Sequence, residues 1–190
     1  MANIVFESVR YKNILSTGNT FTEVQLNRSK STLIIGDNGA GKSTMLDALT
    51  FALYGKPFRN IKKNQLVNSV NGKGLEVEAR FTIGGNKYLI IRGIKKNKFE
   101  IYKNGEMLNQ DASIRDYQAY LEDTILKLNY KSFGQVVVLG SSTFVPFMQL
   151  KAGERREVIE DLLDIQIFTV MNTLLKDRLS ENKTAITDIK

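Results

Sequence analysis

The sequence predicts an α/β protein built on a phosphate-binding loop, with an antiparallel β meander set into it and a long helix towards its C-terminal end. Three observations predict this. Residues 36–43, Gly36-Asp37-Asn38-Gly39-Ala40-Gly41-Lys42-Ser43, fit G-x-x-x-x-G-K-[ST] between an apolar run and an amphipathic stretch. Three strand-like runs separated by turn residues lie between positions 75 and 105. From Gly153 onward the apolar residues recur at helical spacing only.

In chain order, residues 4–11 alternate loosely (Ile4, Phe6, Val9, Tyr11) and predict a first strand. Residues 22–26 predict a second, with Gly18-Asn19 as turn chemistry between them. Residues 31–35 predict a third, whose Leu33-Ile34-Ile35 run is that of a strand buried on both faces. The helix after the loop carries Met45, Leu46, Ala48, Leu49, Ala52 and Leu53 at helical spacing, and Gly55-Lys56-Pro57 ends it.

The loop between strand and helix carries the chemistry. Its glycines let the backbone curl so that N–H groups converge on phosphate oxygens, and the helix's positive end adds to that field. The expected phosphate-binding set is Gly36, Asn38, Gly39, Ala40, Gly41, Lys42, Ser43 and Thr44. Lys42 supplies a full charge and Ser43 a hydroxyl for Mg²⁺.

Past the helix the chain turns basic. No acid occurs between Asp47 and Glu76, whereas Lys56, Arg59, Lys62, Lys63 and Lys73 fall inside that gap. Residues 75–83, 88–94 and 98–103 then predict the meander, turned by Gly84-Gly85-Asn86, Lys95-Lys96-Asn97 and Asn104-Gly105. Residues 92–98 place four positive charges in seven residues at a hairpin tip, which fits either a solvated turn or a contact with a phosphate backbone. The candidate nucleic-acid contacts are Lys62, Lys63, Arg92, Lys95, Lys96 and Lys98.

Asp111 or Ser113 can cap a helix running to about Leu128, with Ile114, Tyr117, Leu121, Ile125 and Leu128 on one face. Residues 135–139, QVVVL, predict a further buried strand, followed by a polar loop at 140–143 and an apolar element at 144–150 broken by Pro146. Positions 165, 168, 172, 175, 179, 182, 186 and 189 step by three and four, and six of the eight are apolar. The segment reads as a coiled-coil seam or a helix lying on the domain, and with nothing after Lys190 to close a fold the first is preferred. The expected division is a nucleotide-binding lobe over 1–150, with the meander at 75–105, and a helical arm over 151–190.

Composition narrows the chemistry. The chain of 190 residues has no cysteine and no histidine, which excludes disulfides, thiolate sites and imidazole catalysis within it. The net charge of +7 is uneven: residues 1–150 hold 20 basic and 12 acidic side chains, and residues 151–190 hold 7 and 8. The basic part calls for a polyanion, with nucleic acid foremost. No apolar run reaches the roughly 20 residues that span a bilayer, and the N-terminus has no signal-peptide core, so a cytoplasmic protein without membrane contact is expected, in the host cytoplasm if the source is a phage.

Four blocks resemble the SbcC-type ATPase subunits of DNA double-strand-break repair nucleases, relatives of the structural-maintenance-of-chromosomes proteins. Val9-Arg10-Tyr11-Lys12-Asn13-Ile14 is similar to the end of that family's first strand and its turn. Residues 33–54 match its P-loop and helix, including Asp47-Ala48, and residues 51–59 resemble its phage members in particular. Residues 137–160 are similar to the strand, loop and Ala-x-x-Arg-Arg helix that lead into the family's coiled coil.

The resemblance implies the N-terminal half of an ABC-type ATPase head that binds ATP and Mg²⁺. It further implies a C-terminal half-head of the same protein, a second copy as dimer partner, a metallophosphatase-type nuclease subunit and double-stranded DNA. No Walker B strand with paired acids and no Ser-x-Gly-Gly signature occur in the sequence, so the chain alone is expected to be inactive as an ATPase. Two positions depart from the family. Its Mg²⁺-contacting glutamine aligns with Ser141, and Gln135 stands six residues earlier, which leaves the second metal contact to one or the other. Leu15 replaces an arginine that packs on adenine, which leaves the base and ribose side to Lys12 and Ser16. The alternatives are a chromosome-organising ATPase with the same head and no nuclease, and a complete small P-loop kinase or GTPase.

Overall fold

The computed structural model describes residues 3–95, 97–108, 114–138, 145–163 and 165–188. They fall into two compact units, one running to Leu126 and the other beginning at Lys127. The larger unit is organised on a six-stranded sheet. Strands β1 (Ile4–Lys12), β2 (Thr22–Gln25), β3 (Leu75–Ile83), β4 (Asn86–Ile94), β5 (Lys98–Lys103) and β6 (Glu106–Met107) are arranged β2-β1-β3-β4-β5-β6, each pair antiparallel. The predicted meander is β3–β5, with β6 as a short addition after the Asn104-Gly105 turn.

The register explains the core. Val9, Ala79, Ile90 and Ile101 face one another across four strands, and all four are fully buried. Helix α1 (Lys42–Tyr54) packs on β1, β3 and β4 and buries Ala48, Phe51, Ala52 and Leu53. A side chain such as Phe51 or Leu53 contributes about 1.5–3 kcal/mol by leaving water. Helix α2 (Ile114–Ala119) runs on as a π-helical segment over Tyr120–Leu126, and Tyr117, Leu121 and Ile125 are buried. The ring of Tyr117 meets Phe99 edge-on at 5.0 Å, and its hydroxyl accepts from the backbone N–H of Ile101. The caps predicted for this helix, Asp111 and Ser113, lie outside the described residues.

Helix α1 ends where it does because Gly55 takes the left-handed conformation (φ 67) and donates its N–H to Phe51 O. Arg92 of β4 lies beneath that end. Its Nε donates to Ala52 O at 3.0 Å, its Nη2 donates to Gln118 Oε1 at 2.6 Å, and its guanidinium covers the Phe99 ring at 3.6 Å. Burial lowers its pKa to about 9, and the charge of Glu122 pulls the other way, so at neutral pH it is a buried cation facing helix carbonyls. Arg92 is therefore not the surface contact for nucleic acid that its place in a basic stretch predicts. Its neighbours on the pleat, Ile90 and Ile94, share its face, and the alternation of β4 turns it inward.

Among the described residues, two predicted strands are absent. Residues 32–36 carry no ladder, and Leu33 and Ile35 are 82% and 83% exposed. The run has the composition of a buried strand, but no strand among the described residues pairs with it. Residues 135–138 are the second case. Helix α3 (Tyr130–Val136) occupies their start because Asn129 caps it, accepting from Ser132 N at 2.9 Å, and because Phe133 is buried. Those local bonds outweigh the β preference of the valine run. The smaller unit continues with a single 3₁₀ turn at Phe147–Gln149, then α4 (Ala152–Leu163) and α5 (Gln166–Asp188). Ser132 of α3 donates to Asp161 of α4, and Lys131 pairs with Glu154 and Glu157. Along α5 the seam residues Phe168, Leu175, Leu179 and Ile186 are exposed.

Gly55→Ala tests the seat of Arg92. The added Cβ would lie 2.9 Å from Arg92 Nη1 at a φ that L-residues avoid. The substitution should cost about 1–3 kcal/mol, seen as a lowered urea midpoint at unchanged m. An unchanged midpoint contradicts this packing.

Candidate functional site

The P-loop stands at the N-terminal end of α1. Gly39 (φ 90) and Gly41 (φ 94) both need the left-handed region, and a Cβ on Gly36 would press on Ala40 at 3.3 Å. Gly41 is the N-cap and makes no side-chain cap bond; Thr44 N donates to Gly41 O at 3.0 Å, and the helix start presents its positive end to the loop. Lys42 Nζ donates to the carbonyls of Gly36 and Asp37, the latter at 2.8 Å, which folds the loop around its own ammonium.

A cavity of about 340 Å³ opens here. Asn38, Gly39, Gly41, Lys42, Ser43 and Thr44 line it, together with Leu15, Ser16 and Arg59. The structure thus brings six of the expected phosphate-binding residues to one hollow and adds Ser16 from the turn after β1. Lys12 is not brought to it. Its ammonium lies over the Phe21 ring at 4.3 Å and it lines a different hollow, because the turn after β1 puts Lys12 and Ser16 on opposite sides. Ser141 lies outside the described residues. Gln135 is on α3 in the smaller unit, and its side-chain oxygen is buried without a hydrogen-bond partner among the described residues.

Sequence reasoning missed Arg59. Asp47 of α1 is fully buried and accepts from the backbone N–H of Arg59 at 3.0 Å and from its Nε at 2.7 Å, with Nη2 at 2.5 Å. The carboxylate holds the guanidinium flat, and the donors it does not use belong to a side chain still 43% exposed at the rim of the cavity. A planar cation with spare donors is suited to bidentate contact with phosphate oxygens. The signal was present: an acid on the buried face of an apolar helix demands a partner.

The basic candidates separate by burial. Lys62 and Lys63 are both exposed; the Lys63 ammonium lies 5.8 Å from the Phe51 ring, where desolvation and then the charge of Arg92 lower its pKa. Lys95 and Lys98 stand at the β4–β5 turn, Lys98 within 4 Å of Glu76 and Glu100. Arg92 is buried, and Lys96 lies outside the described residues. No helix among the described residues is long and apolar enough to cross a membrane.

Comparison with known proteins agrees with this geometry. Residues 8–190 match the AAA domain family. Exonuclease subunit 2 of Enterobacteria phage T4 is 48% identical over 176 residues, 93% of this chain and 31% of that protein. The DNA double-strand break repair Rad50 ATPase of Thermoplasma acidophilum is 27% identical over 194 residues, 98% of this chain and 21% of that protein. The chain thus spans under a third of the length of either relative. Among solved structures, the Smc head domain with an extended coiled coil from Pyrococcus furiosus superposes with a TM-score of 0.64 at 21% identity, covering 98% of this chain and 49% of that one. That likeness establishes the ATPase-head fold.

Asp47→Ala would leave the Arg59 N–H and guanidinium without their acceptor. It should destabilise the protein by about 1–3 kcal/mol, the exposure of Arg59 keeping the cost below that of a fully buried pair. Thermal unfolding of Asp47→Ala beside Arg59→Ala measures it. Equal, negligible shifts in both would remove the pair from the architecture of the site.

Proposed function

From the premise that this chain belongs to the AAA domain family, and within it to the SbcC-type ATPases, we propose that it is the N-terminal half of an ATPase head in a DNA repair or recombination nuclease complex. The observation that carries the proposal is the contrast between residues 33–35 and the loop they enter. The cavity at Gly36–Thr44 is formed, yet the apolar run that should anchor it is exposed. A C-terminal half-head that adds strands beside Leu33 and Ile35 would bury this run and contribute the acids and signature segment absent from the sequence.

In this reading the nucleotide is ATP with Mg²⁺. The loop amides and Lys42 hold its phosphates, Arg59 adds a second charge, and Ser43 supplies a hydroxyl to the metal. Ser16 lies on the base and ribose side. The second contact to the metal falls to Ser141 or Gln135, and the group that orients the attacking water comes from the C-terminal half. ATP joins two copies of the assembled head, hydrolysis parts them, and the exposed seam of α5 passes the change along a coiled coil to a metallophosphatase-type nuclease. Each step draws on the difference in affinity of ATP for the engaged and open states. Double-stranded DNA is bound through its phosphates by the basic face of the larger unit. The complex acts in the cytoplasm.

Lys42→Ala should weaken ATP binding to the chain at least about tenfold, or 1.4 kcal/mol, in equilibrium titration. Undiminished affinity refutes the role given to Lys42. Separately, the 190-residue chain should hydrolyse ATP negligibly until the C-terminal half of its protein is added. Turnover of about 1 s⁻¹ or more from the chain alone overturns the half-head reading.

A further inference from the structure

Leu15 is a strained residue at the nucleotide cavity. It holds the left-handed conformation (φ 52), which a bulky L-residue avoids and glycine takes readily. Strain of this kind gathers at functional sites and persists only where the surroundings over-determine it. Leu15 is half-buried and lines the cavity. Among the described residues that line it, Leu15 has the one apolar side chain, and Ser16 and Arg59 are the others outside residues 36–44. The phosphate loop takes one end of a nucleotide and the charge of Arg59 suits phosphate as well. That leaves Leu15 and Ser16 to meet the nucleoside.

The turn has few hydrogen-bonding groups to offer a base. Ile14 N donates to Thr17 Oγ1 at 3.0 Å, and Thr17 Oγ1 and Thr17 N both donate to Ile14 O, at 2.7 and 2.9 Å. Leu15 N donates to Leu66 O, and the carbonyls of Leu15 and Thr17 accept from Asn68 Nδ2. The donors of residues 14, 15 and 17 are therefore all engaged within the protein. Ser16 is exposed and is the member of the turn that makes no hydrogen bond among the described residues. Its hydroxyl can rotate to accept or to donate, so it meets the amino group of adenine and the carbonyl of guanine equally. A site that reads a group by fixed hydrogen bonds rejects an analogue lacking it by about 10⁴-fold, whereas an apolar contact separates shapes of similar size poorly.

We infer that Leu15 is an apolar platform for the base and that the cavity selects the triphosphate and not the base, so that it binds GTP about as well as ATP. The inference rests on the nucleotide reading of the cavity given above and adds its substrate class, purine nucleoside triphosphates. The face of a purine ring is flat and weakly hydrated, and covering it with a leucine side chain removes both from water. This contact is the same for either purine. Because Leu66 and Asn68 fix the backbone of the turn, the platform is in place before the nucleotide arrives.

The test titrates the full 190-residue chain, with Mg²⁺ present, with ATP, GTP and inorganic tripolyphosphate. Wild type is compared with Leu15→Ala, which keeps an L-residue in the left-handed backbone and removes the platform. The inference expects wild type to bind ATP and GTP within about threefold of each other. It expects Leu15→Ala to weaken both nucleotides at least about threefold more than it weakens tripolyphosphate. A larger preference for either nucleotide in wild type shows that the base is read; it overturns the inference and leaves the nucleotide site standing. That measurement needs no variant, so it decides the matter even where Leu15→Ala does not fold. Equal losses for nucleotides and tripolyphosphate in Leu15→Ala also overturn the inference, because Leu15 then shapes the phosphate loop and does not hold the base. Failure of all three ligands to bind wild type refutes the nucleotide reading itself, and the inference falls with it.

Discussion

The arrangement turns on one buried cation. Arg92 reaches from β4 under the last turn of α1, donates to the Ala52 carbonyl and to Gln118, and lies flat on Phe99. Strand, helix α1, helix α2 and strand β5 thus meet at a single guanidinium. Burying an arginine is costly unless its donors are satisfied and its charge is answered. Here the answer is the negative end of α1, supplemented by Glu122. The sheet supplies its cation at the C-terminal end of the helix, and at the N-terminal end no side chain caps the first turn. The same helix is therefore tied down at one end and receptive to an anion at the other.

The receptive end contains two cations, each held by a different device. Lys42 is kept by the carbonyls of the loop it follows, which makes the loop curl and places its ammonium within it. Arg59 comes from twelve residues beyond Asp47 and is clamped by a carboxylate with no exposure at all. A carboxylate buried beneath a phosphate site would oppose phosphate by charge. Its pairing with Arg59 removes that opposition and turns it into an anchor. The lysine remains the adjustable member of the pair and the arginine the fixed one.

What was legible in the sequence was local. The glycines of residues 36–41, the strand runs of the meander and the Gly55 stop each specify structure through backbone conformation and short-range pattern, and each is present as read. The failures concern partners far away in sequence or absent from the described residues. Residues 31–35 have the side chains of a buried strand, but a strand exists only with a neighbour, and composition cannot say whether the neighbour is there. Residues 135–138 show the reverse, a β-branched run overruled by the Asn129 cap and by Phe133. Arg92 was misread because charge content was considered without pleat direction: Ile90 two positions earlier already indicated the inward face. Lys12 was placed with Ser16 because both flank Leu15, where the resemblance puts an adenine-packing arginine, although the turn between them divides two hollows.

That turn shows how separate hollows can lie so near one another. Asn13 and Leu15 both hold the left-handed conformation (φ 52 each), which for a leucine is a strained state. Strain of this kind persists only where surrounding bonds over-determine it. Leu15 N donates to Leu66 O at 2.7 Å, Asn68 N donates to Asn13 O at 2.8 Å, and Asn68 Nδ2 donates to the carbonyls of Leu15 and Thr17. The 66–74 loop thus grips the turn from behind through Asn68, which is itself buried. With the wall so fixed, Leu15 and Ser16 face the nucleotide cavity while Lys12, Asn13 and Asn19 face the other hollow. Asn68 and Asn71 of this loop supply the side-chain bonds that keep the two hollows apart.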